Sequence, residues 1–350
     1  MKCINCGGTM RYDVEKQGLV CDFCGAVKPL EKAEQQTDQV ERSFDASLSQ
    51  ASTDWGITRR QITCKQCGAA LLYDADQISG MCPYCGSAIV LDAVETNSCI
   101  APTGIIPFTT TKEEVEKNYY KWNKFALWSP ESFRKGKVLG NLVGVYVPFW
   151  TFDADTVTSY AGDFGTTVTR GDSQVTEYRK GSGVTEAFID DVCIGASKRF
   201  VSNKKMNRVV QFKPSEIMPY TPEALAGFAA EKYSIDINEA WTLAQDTFKK
   251  RIEWAACKRE NAECCRNMQM STNFGNVKFR YFLFPVWLAA CPYKGKIYYV
   301  VASGHDNRGL CDRPVSAAKI VLLILAILGV FSIPFISYVI MMLISILGQT

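Results

Sequence analysis

The feature that most constrains the fold is a pattern of paired cysteines that occurs twice near the start of the chain. Each unit has two CxxC pairs separated by 14 residues. The eight cysteines are Cys3, Cys6, Cys21, Cys24, Cys64, Cys67, Cys82 and Cys85. Four thiolates in two short pairs can surround one Zn²⁺ at about 2.3 Å, and such a site folds a segment that is too small to fold alone. The spacing therefore predicts two zinc ribbons, at residues 1–30 and 59–95.

The similarity of the two units extends to their glycines. Every CxxC pair is followed directly by a glycine, at Gly7, Gly25, Gly68 and Gly86. A glycine suits a tight knuckle in which backbone N–H groups point at sulfur and a positive φ is often required. The competing interpretation is redox-active CxxC pairs or disulfides, but no βαβ pattern surrounds these pairs and their spacing repeats. Because four thiolates leave no open coordination position, both predicted Zn²⁺ ions are structural.

The charge of the ribbons bears on their partners. The formal net charge of +3 counts every cysteine as neutral. Each zinc with four thiolates carries a charge of about −2, which brings the total to about −1. Residues 1–30 hold four basic and three acidic side chains, and residues 59–95 hold three basic and four acidic ones. Neither ribbon has the lysine and arginine excess that phosphate binding requires, so the charges favour docking of proteins over nucleic acid.

The other end of the chain is strongly apolar. Residues 320–348 contain no charged side chain. A bilayer span needs about 20 apolar residues, so the composition predicts a transmembrane segment at 319–348. Pro334 lies near the middle of this run and leaves two arrangements open, a single kinked span or a re-entrant hairpin of two half-segments.

Basic residues before the apolar run predict its orientation. Arg308, Arg313 and Lys319 precede it and none follows it. The positive-inside rule then predicts an integral protein of the cytoplasmic membrane with its N-terminal bulk in the cytosol. The cysteines agree, because eight metal-bound thiolates need a reducing compartment and the odd total of 15 argues against a disulfide framework.

Two linkers and one larger domain complete the predicted organisation. Residues 31–58 are rich in Glu, Gln, Ser and Asp and too poor in apolar side chains to fold, which predicts a flexible linker. A second linker is predicted at 96–107 from its prolines and glycine. Residues 108–315 are numerous enough for one sizeable core. The predicted fold class is α+β: two four-cysteine ribbons, an α+β domain with an antiparallel sheet, and the transmembrane segment.

Local signals predict the elements of the larger domain. Helices are predicted after the capping residues Thr110 and Thr111, from Thr221-Pro222 to residue 233, and from Asp236 towards residue 270. Strands are predicted at 143–150 and in a hairpin of 281–290 with 296–304. Between them, turn signals at 153–155, 162–165, 171–172 and 181–183 predict an antiparallel meander of short strands.

Catalytic motifs are absent from the sequence. The only histidine is His305, which excludes HExxH and metal sites built on two histidines, and no GxxxxGK[ST] occurs. The pair Asp190-Asp191 is typical of a solvated loop, and Cys257, Cys264 and Cys265 are typical of packing. We therefore predict no catalytic residue, no cofactor beyond zinc and no enzymatic activity.

With these residues together, the chain resembles a bacterial family of membrane proteins that carry an N-terminal TFIIB-type double zinc ribbon. The resemblance spans nearly the whole length. Beyond the cysteines it rests on the segments 106–108, 144–154, 220–233, 284–300 and 313–316. Members are often labelled helicase- or primosome-like, but this chain has no ATPase motor motif. The chain also departs from the family at 303–309, where relatives tend to have an NGQTG-like turn.

The resemblance implies a function for the chain. The family includes a zinc-ribbon protein of a Bacillus phage-shock-like operon that helps to bring a PspA-type protein to the membrane. By this resemblance, the chain is expected to be an adaptor in the bilayer that recruits a PspA-type or other membrane-stress protein in an envelope stress response. The alternative is a membrane-tethered, nucleic-acid-binding ribbon protein of replication or transcription.

Overall fold

The computed structural model describes residues 1–30, 41–44, 53–56, 59–74, 77, 79–90, 100–123, 128–306 and 308–347. Most of the predicted linker 31–58, residues 91–95 of the second ribbon and the first part of the linker 96–107 lie outside the described residues. The second predicted linker is not only a connection, because its described part contains a short strand at Gly104–Ile105.

Sixteen strands are found among the described residues. In chain order they are β1 Met10–Asp13, β2 Gly18–Cys21, β3 Val27–Pro29, β4 Arg42–Ser43, β5 Arg59–Thr63, β6 Ala70–Asp74, β7 Ser79–Met81, β8 Ala88–Val90, β9 Gly104–Ile105, β10 Val143–Arg170, β11 Ser173–Gly195, β12 Met218–Pro219, β13 Ala229–Glu231, β14 Cys264–Tyr293, β15 Lys296–Ser303 and β16 Gly309–Cys311.

Helices are fewer and mostly short. In the described ranges they are α1 Lys112–Trp122, α2 Glu131–Arg134, α3 Lys198–Ser202, α4 Lys204–Val209, α5 Ile237–Arg259 and α6 Ala317–Leu347, with 3-10 turns at Lys137–Asn141, Pro214–Glu216 and Pro222–Leu225. Two helix starts match their sequence signals. Thr111 and Glu114 form a capping box at α1, and the Asp236 carboxylate accepts the backbone N–H groups of Asn238 and Glu239 at α5.

The centre of the molecule is the antiparallel pairing of β10 with β14. Val145 lies opposite Val286, and Phe149 lies opposite Phe282. Both faces of this pair are buried, one in a core cluster with Trp150 and the other in a cluster with Val147 and Phe284. A strand buried on both faces reads as a continuous apolar run, as residues 143–150 do. The prediction of strands here is confirmed, and so is the hairpin of β14 with β15 around Tyr293-Lys294-Gly295.

The predicted meander of short strands is wrong. Only Gly171-Asp172 makes a turn, joining β10 to β11, and the three other predicted turns lie inside strands. Their glycines accommodate neighbouring aromatic rings. A Cβ on Gly183 would lie 2.9 Å from the Tyr160 hydroxyl, and one on Gly165 would lie 2.8 Å from the Tyr178 ring. Glycine inside a strand thus marks close packing here, not a chain reversal.

The predicted helix at 221–233 and the extension of the next helix to residue 270 are also wrong. The first segment is a 3-10 turn followed by β13, because Gly227 has a φ of +90° that ends any helical path. β13 pairs with β10 on one side and with β6 on the other. The helix α5 ends at Arg259, and the chain enters β14 at Cys264, where it pairs with Gly165 of β10.

These changes overturn the predicted fold class. Strand accounts for 44% of the structure and helix for 27%, so the molecule is mainly sheet and not the α+β arrangement that the sequence suggested. The second ribbon belongs to the main sheet, because β5 pairs with β6, β6 with β13, and β13 with β10. The first ribbon forms its own sheet of β1, β2 and β3.

The predicted transmembrane segment at 319–348 is corrected as well. No helix among the described residues has the length and apolar character needed to cross a membrane. The kinked or re-entrant span and the integral membrane location that depended on it are therefore wrong.

We expect the Trp150 side chain to be one of the main supports of the core. It is fully buried, and its indole N–H donates to the Ile235 carbonyl over 3.0 Å. Trp150→Ala should lower the free energy of unfolding by about 3–5 kcal/mol, measured by denaturant titration. Trp254 is 68% exposed, so Trp254→Ala is the matched control. It should change the free energy of unfolding by less than about 0.5 kcal/mol. Equal effects of the two substitutions would contradict this packing.

Candidate metal centres

The first four cysteines converge at the tip of the β1–β2–β3 sheet. Sulfur–sulfur distances are 3.6 Å between Cys3 and Cys24 and 3.4 Å between Cys6 and Cys21. All four Sγ atoms lie within 4.8 Å of one another. Four ligands at 2.3 Å around a tetrahedral ion are about 3.8 Å apart, whereas a disulfide is about 2.0 Å long. The four thiols can therefore hold one metal ion and form no disulfide.

The second group of cysteines repeats this geometry beside the main sheet. Cys64 and Cys85 are 3.7 Å apart at sulfur, and Cys67 and Cys82 are 3.6 Å apart. These four Sγ atoms also lie within 4.8 Å of one another. Each of the eight predicted cysteines thus lies in a cluster that can bind a metal ion, and the sequence pattern assigned all of them to the correct cluster.

All four CxxC knuckles share one backbone conformation. The glycine after each pair donates its N–H to the carbonyl of the first cysteine, and its φ lies between +70° and +73°. These bonds are Gly7 to Cys3 at 2.8 Å, Gly25 to Cys21 at 3.1 Å, Gly68 to Cys64 at 2.6 Å and Gly86 to Cys82 at 2.9 Å. A positive φ strains any residue with a Cβ, which explains why glycine occupies all four positions.

Hydrogen bonds prepare part of each cluster for ionisation. The backbone N–H groups of Cys24 and Phe23 point at the Cys21 sulfur and lower its pKa to about 6. Burial opposes ionisation of Cys64, but the Ser87 hydroxyl and neighbouring backbone N–H groups outweigh it and lower this pKa to about 6 as well. Donors that favour a thiolate also favour a cation bound to it. One sulfur of each cluster, that of Cys21 or Cys64, thus favours a thiolate before any metal is bound, whereas the pKa values of Cys6, Cys67 and Cys82 are raised.

The first cluster projects from the body of the molecule. Ile4 and Phe23 occupy the tips of its two knuckles and are 97% and 79% exposed. The opposite end of the ribbon is fixed to the body. The Tyr12 N–H donates to the Ala226 carbonyl at 2.9 Å, and the Gln17 amide donates to the Phe108 carbonyl at 2.9 Å. The first ribbon is therefore held at its base and open at its metal end.

The second cluster is embedded in the body. Cys64, Cys82 and Cys85 are buried, and they share a core cluster with Val147 and Phe284 of the central strands. The first ribbon packs into the separate core cluster of Trp150, so the two ribbons lie against opposite faces of the β10–β14 pair.

Tyr84, in the last knuckle of the second cluster, links the metal site to the body. Its carbonyl accepts from the Tyr299 hydroxyl at 2.9 Å, and its own hydroxyl donates to the Glu231 carboxylate. Ser197 donates to the same carboxylate at 2.7 Å. Burial raises the pKa of Glu231 to about 7, so the carboxyl depends on these two donors when it is charged. Loss of the knuckle would leave part of this network unsatisfied.

A third cluster of possible metal ligands is of a different kind. Asp153, Asp190 and Asp191 bring carboxylate oxygens together, although the sequence suggested only a solvated pair. Asp191 has a φ of +52° in a bulge, and its N–H donates to the buried Asp153 carboxylate at 2.7 Å. The Arg280 guanidinium lies 2.6 Å from the Asp191 carboxylate and supplies the balancing charge. We interpret this group as an ion-pair network that stabilises the bulge.

His305, Cys291 and Cys257 belong to neither of the four-cysteine clusters. His305 lies 3.3 Å from the Glu216 carboxylate. Burial raises the pKa of the Cys291 thiol to about 11, which disfavours a reactive thiolate. Cys257 packs with Cys265 between α5 and β14, as the packing interpretation predicted.

Comparison with known proteins adds one distant relative. The chain is 26% identical over 341 residues to the uncharacterized protein YdjG of Bacillus subtilis (strain 168), and the match covers 91% of each chain. No protein-family profile and no solved structure matches the chain. The comparisons give no support to the predicted phage-shock-like role, which we drop together with the membrane segment. The resemblance to TFIIB-type ribbon proteins stays a prediction.

The two knuckle glycines Gly25 and Gly86 allow a matched test of the difference between the clusters. Both have φ near +70°, but a Cβ on Gly25 meets nothing within 4 Å, whereas one on Gly86 lies 3.0 Å from the Ala290 carbonyl oxygen of β14. Gly25→Ala should cost about 1–2 kcal/mol of backbone strain. Gly86→Ala should cost about 1–3 kcal/mol more, because β14 cannot move aside. Chemical unfolding of both variants measures the difference, and equal costs would contradict the embedded position of the second cluster.

Proposed function

We propose that the protein is a non-enzymatic scaffold in which two structural Zn²⁺ ions hold the ribbons and the first ribbon docks partner proteins. The observation that carries this proposal is the pair of apolar side chains, Ile4 and Phe23, on the open knuckles of the first cluster. The second ribbon serves the fold, since its cluster is part of the core.

Zinc is the metal that best suits both clusters. The donor set is four thiols at tetrahedral spacing, which suits Zn²⁺ and iron and disfavours Mg²⁺ and Ca²⁺. Zn²⁺ has no redox chemistry and completes its shell with four thiolates, which leaves no position for a substrate. Such a centre supplies folding energy rather than catalysis.

The open knuckles have the properties of a protein-docking site. Large apolar side chains that are almost fully exposed are candidates for partner contacts, and aromatic residues are enriched among the residues that dominate binding energy. The metal fixes the two knuckles relative to each other. Partner binding then loses little conformational entropy, because the backbone that carries Ile4 and Phe23 is already fixed.

The alternative of nucleic-acid binding is less consistent with the surface of the first ribbon. Arg11 pairs with Asp22 at 3.0 Å, and Lys28 pairs with Glu223 at 3.6 Å. A nucleic-acid surface needs a stripe of basic groups directed at phosphates. In this ribbon half of the four basic side chains face carboxylates instead, so its surface favours a protein partner.

Metal analysis tests the structural part of the proposal. The purified chain should contain two equivalents of zinc by elemental mass spectrometry. Cys24→Ser should remove one equivalent and destabilise the body less than Cys85→Ser does, because the first cluster lies at the open end of its ribbon. Cys85→Ser should remove one equivalent and also destabilise the body, by about 3 kcal/mol or more, because a buried network loses its support. Identical unfolding of the two variants would show that both ribbons have the same role.

A double substitution at the knuckle tips tests docking. Ile4→Ser with Phe23→Ser should reduce the affinity for co-purifying protein partners by about tenfold or more, because the central apolar contacts are lost. Zinc content should remain at two equivalents. Val175→Ser removes another exposed apolar side chain, on β11, and is the matched control.

The outcomes of this docking test are distinct. Partner binding that survives the double substitution contradicts docking through the knuckles. Tight binding of DNA or RNA by the full chain, with affinity falling steeply as salt rises, would instead establish the nucleic-acid alternative.

A further inference from the structure

β11 is an edge strand of the long sheet. It pairs with β10 along one side, and no described strand pairs with its other side. The two strands are joined by the two-residue turn Gly171-Asp172, so Arg170 and Ser173 close the hairpin as a bonded pair. Bonded pairs recur every second residue and the register is unbroken up to the Ala154–Ile189 pair. The even-numbered residues of β11 therefore direct their N–H and C=O groups to the open edge.

The same even-numbered residues share one face of the sheet. Tyr160 and Phe164 of β10 pack towards α5, and the residues opposite them in β11 are odd-numbered. The even-numbered side chains consequently lie on the face that α5 does not cover. Among them, Val184 is 47% exposed and Phe188 is 65% exposed. A backbone edge that no described strand occupies thus coincides with exposed apolar side chains, which is the combination that favours pairing with another strand.

The sequence of this edge is complementary to itself in one antiparallel register. With a two-fold axis at Gly183, Lys180 of one copy lies opposite Glu186 of the other, and Tyr178 lies opposite Phe188. All of these residues are even-numbered, so their outward backbone groups meet as bonded pairs. By symmetry each opposite-charge pair and each aromatic pair forms twice.

Neighbouring registers lack this complementarity. An axis at Ser182 places Tyr178 opposite Glu186 and Lys180 opposite Val184. An axis at Val184 places Lys180 opposite Phe188. Neither arrangement pairs Lys180 with Glu186, and in both of them Lys180 keeps only Asp163 of its own β10 opposite it, so charge favours the axis at Gly183 over these two neighbours.

We propose that β11 pairs with β11 of a second copy of this chain about a two-fold axis at Gly183. The pairing joins two three-stranded arms, each formed by β11, β10 and β14, into one continuous sheet. Two arginines of α5 donate to outward carbonyls of this edge, Arg259 to Val184 and Arg251 to Asp190. A carbonyl oxygen has two lone pairs, so each contact leaves one for the incoming strand.

A charge exchange tests the register. In sedimentation velocity over a concentration series, the full chain should show a monomer–dimer equilibrium. Lys180→Glu and Glu186→Lys alone should each weaken the dimer by roughly tenfold or more, because each creates two like-charge pairs. The double variant Lys180→Glu with Glu186→Lys should restore the dimer to near its original strength. A monomeric chain, or a double variant that fails to recover, overturns the proposal.

Proline substitution tests the backbone pairing independently. Ser182→Pro removes an N–H that points to the open edge and leaves the ladder with β10 intact, so the monomer should fold. Gln174→Pro removes an equivalent N–H outside the 178–188 segment that carries the charged and aromatic pairs, and it is the matched control. We expect Ser182→Pro to abolish the dimer and Gln174→Pro to keep it, with unchanged circular dichroism in both. Self-association that is insensitive to Ser182→Pro arises elsewhere, for example at the apolar α6, and overturns the proposal.

Discussion

The pairing of β10 with β14 is the interaction on which the rest of the structure depends. Its central residues are buried on both faces, so the backbone groups of both strands must be satisfied by each other, since water does not reach them. One face supports Trp150, α5 and the base of the first ribbon. The other face supports the second ribbon. The elements of each side are therefore positioned by one ladder, although its two strands, β10 and β14, are far apart in the sequence.

This arrangement gives two clusters of identical chemistry different physical environments. The second cluster contacts Ala290 and Tyr299 on rigid strands, so any change in its knuckles is transmitted to the core. The ribbon of the first cluster is fixed to the body at its far end, around Tyr12 and Gln17. Because the second cluster is buried, it contributes to the stability of the fold. The knuckles of the first cluster are exposed and can contact other molecules. The cysteine spacing does not predict this difference, because it is the same in both units.

Local signals were predictable from the sequence and long-range pairing was not. The CxxC spacing identified both clusters, and the caps at Thr111 and Asp236 identified two helix starts, because each signal acts within a few residues. Gly183 was misread as a turn because its role depends on the Tyr160 ring, which lies on another strand. The Asp153–Arg280 network and the entry of β5 and β6 into the main sheet were missed for the same reason. At the C-terminal end, an apolar composition alone was taken as a membrane span.

The exposed ribbon and the β11 edge become related once both proposals are considered together. The first cluster lies at the tip of a ribbon on one side of the central pair, while the β11 edge lies along the arm that extends from that pair. If the paired arms leave both ribbon tips uncovered, a dimer presents two docking sites in a fixed relation. For a partner that is itself oligomeric, the second contact is then intramolecular, and binding strengthens without any new interface. Two small apolar tips, each formed by Ile4 and Phe23, would then be enough to bind an oligomeric partner tightly. This is consistent with the small size of the knuckles.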